Sequence, residues 1–296
     1  MQFLGTAAAE CYPNPFCDCP ACQRARQSAD HRLKRRRSSF LLDENNLLDF
    51  NADVMAACGE FGVSLCRLRN VFITHLHEDH FDYWNVAFLL MSAGKPGPIN
   101  IYVSQEGYDG LMPLLEQMKQ LPHTQMTDQL KQMEKVCRFV PVKPFETFET
   151  GAWRVTPVRG NHDSFFNGER SLLYLFENGQ SSLLSAADTG RFVPQTLDYL
   201  KNKPLSTLII EGSFGATILP KDAGHLDIES LCETIDLLEQ QGTVTPQTGI
   251  YITHIAHWSK YGFDEFQDIL QRRYGKRIWL AYDGLRIPPK GPLAGA

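Results

Sequence analysis

Four metal-ligating side chains of two chemical types fall within six residues, in His75-Leu76-His77-Glu78-Asp79-His80. Neutral imidazole nitrogens and carboxylate oxygens suit zinc, manganese or iron, and a catalytic metal usually keeps three protein ligands so that water can take the open position. Four residues exceed the need of one open site. The spacing therefore implies two metals, one on His75 and His77 and the other on Asp79 and His80, with further ligands supplied from downstream. The preceding run Val71-Phe72-Ile73-Thr74 reads as a buried strand, which leaves the four ligands on the loop beyond its end. Chance is a poor explanation for this grouping, since only nine histidines occur in 296 residues.

Three later segments repeat the theme of an apolar strand followed by a ligand type. His162 follows the strand-like stretch Trp153–Val158, Asp188 follows Ser182–Ser185, and His254 ends Tyr251-Ile252-Thr253. The pattern His-x-His-x-Asp-His, with these three residues in order behind it, resembles the signature of the metallo-β-lactamase superfamily. The resemblance implies that His162 is the third ligand of the first metal, Asp188 bridges the pair, and His254 completes the second. It also implies an α/β fold: a four-layer αβ/βα sandwich of two mixed β-sheets flanked by helices, with two divalent metals, Zn or Mn, at one edge.

A second cluster, Cys17-Asp18-Cys19-Pro20-Ala21-Cys22, holds three thiols too close together for disulfides with one another. They suit thiolate coordination of zinc, which needs one more ligand. Here the resemblance narrows to the phosphoribosyl cyclic phosphodiesterases of the carbon–phosphorus lyase pathway. In that family a Cys-x-Cys-x-x-Cys zinc site is closed by a histidine three residues after the last active-site ligand. The matching position is His257, so the resemblance implies a structural Zn on Cys17, Cys19, Cys22 and His257. Cys11, Cys58, Cys66, Cys137 and Cys232 show no such pattern and read as core or free thiols.

The elements that must position these residues are legible as alternating patterns. Strand-like segments lie at 1–4, 40–42, 46–49, 71–74, 99–103, 138–142, 153–158, 172–176, 182–185, 207–210, 249–253 and 278–281. Helical spacing lies at 84–92, 105–120, 194–200, 228–240 and 263–273, and Pro113 should kink or split the second helix. Residues 1–286 read as a single domain and 287–296 as a frayed tail. The stretch 107–134 is longer than the cyclic phosphodiesterases lead one to expect. Two readings stand for it: a helical insertion packing Leu111, Met112, Leu115 and Met118 inward, or a lid or homodimer element.

Composition limits the functional classes. There is no leader-like apolar start and no run of about 18 apolar residues, so the reading is an unexported, cytoplasmic protein with no membrane partner. Eight cysteines, three in a metal-type cluster, fit a reducing compartment. The net charge of −5 argues against general nucleic-acid binding. The basic run Arg24–Arg37 reads either as a solvated face or as an attractor for a small phosphorylated substrate.

Two metals about 3.5–4 Å apart would acidify a bridging water and neutralise charge on an attacked phosphate or carbonyl, so hydrolysis is the expected chemistry. The resemblance places His225 where a catalytic histidine stands, as general acid, against the simpler reading of a loop histidine paired with Asp227. Asp79 would both ligate and orient the water, and Glu211 would support a ligand or His225. The favoured function is a metal-dependent phosphodiesterase acting on a small cyclic or diester phosphate. The alternatives are a hydrolase of a lactone, β-lactam or thioester, and a non-catalytic metal-binding pathway protein. His77 argues against the redox branch of the fold, which carries glutamate there.

Overall fold

The computed structural model describes all residues except 90–96, 121–127, 129–130, 165, 167 and 291–296. Strands β1 (Gln2–Gly5), β2 (Ser39–Asp43), β3 (Asn46–Leu48), β4 (Asn70–Phe72), β5 (Ile99–Ser104) and β6 (Cys137–Val142) form one sheet in that spatial order. The second sheet runs in reverse order from β13 (Ile278–Leu280) through β12 (Gly249–Thr253), β11 (Thr207–Glu211), β10 (Ser182–Ala186), β9 (Arg170–Glu177) and β8 (Trp153–Asp163) to β7 (Phe148–Thr150). Both sheets are mixed. In each, a meander of antiparallel pairs gives way to parallel strands, and three parallel connections of the second sheet carry the helices Pro194–Leu200, Ile228–Gln240 and Phe263–Tyr274.

Three apolar layers make this a four-layer sandwich. Phe3, Phe72, Tyr102, Tyr174, Phe176 and Tyr251 fill the space between the sheets. Val71, Ile73, Ile101, Leu111 and Leu115 pack the outer face of the first sheet, and Leu184, Leu208, Ile210, Leu231, Ile235 and Phe266 that of the second. Burial on both faces explains why β10 to β12 read as unbroken apolar runs and not as alternating ones. Hydrogen bonds also cross between the sheets: Leu172 N donates to Thr74 O at 2.8 Å and the Tyr174 hydroxyl to Ile73 O at 2.9 Å.

Several sequence expectations change. Strand β8 does not end at Val158 but continues through His162 to Asp163, past a break in register after Arg159. The helix Gln105–Lys119 passes through Pro113 without splitting. It buries Leu111 and Leu115, with Met112 and Met118 packed beside them; much of the rest of 107–134 lies outside the described residues. Helices Pro20–Gln27 and Val54–Phe61 and strand β7, at 8, 8 and 3 residues, are too short for a period to stand out. The tail is docked at its start: Ile287 is buried, and Pro289 O accepts from the Ser181 hydroxyl at 2.6 Å.

Most of the basic run is partnered within the chain. Arg26, Arg32, Arg36 and Arg37 pair with Asp18, Asp30, Glu60 and Asp53 respectively. Arg35 is buried and donates to the Thr6 hydroxyl at 2.8 Å and to Ala281 O at 2.6 Å. Burial pulls its guanidinium down to about 10, against the attraction of Asp283. Removing one member of such a buried polar set strands the others, so Arg35→Ala should lower unfolding stability by about 3 kcal/mol in a urea titration. A loss below about 0.5 kcal/mol, typical of an exposed site, would return the run to the solvated face.

Candidate metal centre

The ligand types collect where the chain leaves the strand ends. The loop after β4 supplies His75, His77, Asp79 and His80, the end of β8 supplies His162, Asp188 follows β10, and His254 follows β12 in the left-handed region at φ 57°. His75, His77 and His162 converge as one group, and Asp79, His80, Asp188 and His254 as another, with the donor atoms of each group within 4.8 Å of one another. Asp188 lies between them: its Oδ2 is 3.6 Å from His75 Nε2, 3.2 Å from His80 Nε2 and 3.4 Å from His254 Nε2, and its Oδ1 is 3.6 Å from His162 Nδ1.

The unpartnered donor atoms fit a metal better than a hydrogen-bond network. His77 Nδ1 is 2.9 Å from His75 Nε2 and 3.3 Å from His162 Nε2. Nitrogens about 2.0–2.1 Å from one tetrahedral ion stand about 3.4 Å apart. The buried Nε2 atoms of His80 and His254 and Oδ1 of Asp188 make no hydrogen bond, a costly arrangement unless a cation takes their lone pairs. The donor set of imidazole and carboxylate suits a divalent ion.

The remaining ring nitrogens are held from behind, which fixes each imidazole's orientation. His80 Nδ1 lies 2.7 Å from Asp49 Oδ2, His254 Nδ1 lies 2.9 Å from the Ser213 hydroxyl, and His162 Nδ1 lies 3.1 Å from Gly224 O. The Thr74 hydroxyl touches both His75 Nδ1 and His80 Nδ1 at 3.1 Å. Buried Glu169 accepts from Leu76 N at 3.0 Å and from the Ser104 hydroxyl at 2.5 Å, and so steadies the loop between His75 and His77. Asp49, Ser213 and Glu169 were not singled out by sequence reasoning. Asp49 alone had a signal, since it ends the apolar pair Leu47-Leu48 as the ligands end theirs.

Charge is balanced inside the cluster. Burial and neighbouring His80 hold His75 well below the ordinary imidazole value. For His80 burial acts in the same sense but is overcome by Asp79 and Asp49, which raise it. Burial disfavours the Asp188 carboxylate, yet His254, His162 and His225 hold it well below its usual range.

His225 does not pair with Asp227. That carboxylate caps the helix Ile228–Gln240, accepting from Ser230 N at 2.8 Å, and takes Leu219 N at 2.7 Å. His225 Nδ1 instead lies 3.1 Å from Asp188 Oδ1 and 3.4 Å from Glu211 Oε1. Despite desolvation, these two carboxylates push His225 up to about 11. Glu211, fully buried at the end of β11, also accepts from Thr189 N at 2.7 Å, the Ser213 hydroxyl at 2.5 Å and Leu226 N at 3.1 Å. One carboxylate thereby sets the loops that carry Asp188, His225 and His254.

The thiols of Cys17, Cys19 and Cys22 also converge within 4.8 Å. Cys19 N and Cys22 N approach the sulfurs of Cys17 and Cys19 at 3.5 Å, and the Cys22 backbone contact lowers the Cys19 thiol. His257, which the resemblance implies as the fourth ligand, is not grouped with the three thiols; its Nδ1 lies 2.8 Å from Glu10 Oε1, which also takes its backbone N–H at 3.2 Å.

The sequence model of a family described as "Anti-Pycsar protein Apyc1" matches residues 31–241, more than half of the chain. The chain belongs to this family. No curated protein sequence matches it. In structure it is similar to a diphosphatase of the PhnP family, with 20% identity, a TM-score of 0.66, and coverage of 99% of this chain and 98% of that one. It is also similar to Zn(2+)-bound PqqB from Methylobacterium extorquens, with 17% identity, a TM-score of 0.67, and coverage of 96% and 98%. The metallo-beta-lactamase fold protein YhfI from Bacillus subtilis matches at 16% identity and a TM-score of 0.63, covering 96% of this chain and 97% of that one. At such identities the likeness shows the fold, the metallo-β-lactamase sandwich. Among the described residues no helix is long and apolar enough to cross a membrane.

Proposed function

We propose that this chain is a metal-dependent phosphodiesterase that cleaves a small cyclic or diester phosphate. His75, His77 and His162 would hold one divalent cation, Asp79, His80 and His254 the other, and Asp188 would span both. A bound pair of this kind supplies an acidified water and positive charge against the phosphoryl oxygens. The observation that carries the reading is His225, which lines a cleft of about 340 Å³ together with His77, Asp79, His162, Asp188 and His254. A cleft of that volume suits a small ligand.

His225 directs Nδ1 at Asp188 and Glu211, which leaves Nε2 for the cleft. From there it protonates the departing ester oxygen as the bond from phosphorus to that oxygen breaks and the water oxygen bonds to phosphorus. The proton given up by water passes through the Asp79 carboxylate to solvent, and solvent recharges His225. No Lys or Arg is among the described residues lining the cleft. A diester, with one negative charge, asks less of such a lining than a monoester with two. The diphosphatase among the similar folds also acts on a phosphate linkage, which is consistent with phosphoryl chemistry here.

The test is a kinetic panel on zinc- and manganese-loaded protein: a ribose cyclic phosphate, a nitrophenyl phosphodiester, the corresponding monoester and a lactone. The diesters should lead in kcat/KM by roughly 100-fold, the scale of one mismatched electrostatic contact. A leading lactone would replace phosphoryl with acyl chemistry.

Asp49 gives a separate check on the ligand assignment. Asp49→Asn keeps the shape behind His80 and removes the charge, so metal affinity should fall by roughly 10- to 100-fold in a chelator competition. Unchanged affinity would mean that His80 is not a ligand.

A further inference from the structure

The cleft has one large aromatic side chain in the open. Trp258 lines it and is 53% exposed, although the backbone around it is tightly fixed. Its carbonyl accepts from the Thr217 hydroxyl at 2.7 Å, while Ser259 O accepts from Ala216 N at 2.9 Å and Ala256 N donates to Ser213 O at 3.1 Å. Glu10 grips the preceding residue by its ring and backbone, and the Trp258 indole leans on the His257 ring with centroids 4.4 Å apart. The close approach is built in: a Cβ on Gly215, at φ +46°, would sit 2.4 Å from the Ser259 hydroxyl.

The backbone that carries the indole is already ordered at the cleft. The indole is held at the cleft without losing further backbone freedom when something lands on it, which is how a preorganised contact surface saves ordering entropy. Its π face attracts flat unsaturated rings in offset stacks and offers nothing to an anionic phosphoryl oxygen. The His/Asp centre in the same cleft supplies the converse preference.

We infer that Trp258 is a specificity residue: the indole stacks a flat, π-faced group of the substrate while its phosphoryl group sits at the His/Asp centre. The inference rests on the phosphodiester reading for the identity of the second group, and its test does not need turnover. Binding of diphenylphosphinate and dimethylphosphinate to the metal-loaded protein is measured by calorimetry, for the unaltered chain, Trp258→Ala and Trp258→Phe. Trp258→Ala should weaken the diphenyl compound by roughly 5- to 100-fold, the span of one lost stacking contact, and the dimethyl compound less than about 2-fold. Trp258→Phe should restore most of the loss. Metal content and Tm serve as the check that the variant is folded, which its exposure favours. Equal weakening of both compounds, or no weakening of either, would overturn the inference. Ring-dependent binding to a protein that hydrolyses no diester would keep it and sink the phosphodiester reading instead.

Discussion

Asp188→Ala should reduce diester hydrolysis to background while leaving a folded protein. The carboxylate stands 3.6 Å from His75 Nε2 in one histidine group and 3.2 and 3.4 Å from His80 and His254 Nε2 in the other, so its loss removes a ligand from each proposed cation at once. No other described acid reaches both groups, since Asp79 approaches only His80 and His254. The fold should persist because the β10 and β11 backbones on either side remain paired and Glu211 still takes Thr189 N. A ligand that binds only the folded chain raises its stability by mass action. Added zinc should therefore raise the Tm of the unaltered protein and raise that of the variant far less. A variant with full metal content and full Tm response but no turnover would make Asp188 a chemical group and not a bridge.

His225→Ala should lower turnover by roughly 100- to 10,000-fold, the usual contribution of a general acid, and leave metal content unchanged. The side chain is the natural one to sacrifice without collapse. Glu211 keeps three other donors in Thr189 N, the Ser213 hydroxyl and Leu226 N, so the loops that carry Asp188 and His254 stay tied. The loss should shrink on a nitrophenyl diester, whose leaving group departs without a proton. Equal losses on activated and unactivated diesters, or a loss of bound metal, would show that His225 holds the centre together.

The ligands themselves were legible because each stands directly after an apolar run, where a parallel strand ends and its side chains point into a shared edge. His75, Asp188 and His254 needed no tertiary knowledge beyond that. His162 obscured the rule, since Gly160-Asn161 imitates a turn while the strand in fact runs on. What holds the ligands was not legible. Asp49 serves a histidine 31 residues away, Glu169 an amide 93 residues away and Glu10 a histidine 247 residues away. Nothing in local spacing encodes such pairs, because the sheets bring them together. The place of Arg35 in the basic run was hidden for the same reason: charge is visible in sequence, whereas the partners that bury Arg35 come from just beyond β1 and just beyond β13.

The cluster draws His75, His77, Asp79 and His80 from the first sheet and His162, Asp188 and His254 from the second. Cations bound as proposed would act as cross-links between the two halves of the sandwich, closing chain loops far longer than those of most disulfides. Such closures restrict the unfolded chain most when the loop is long. Metal occupancy would then set not only reactivity but how firmly the two leaves are clasped along this edge, where hydrogen bonds such as Leu172 N to Thr74 O also cross the seam.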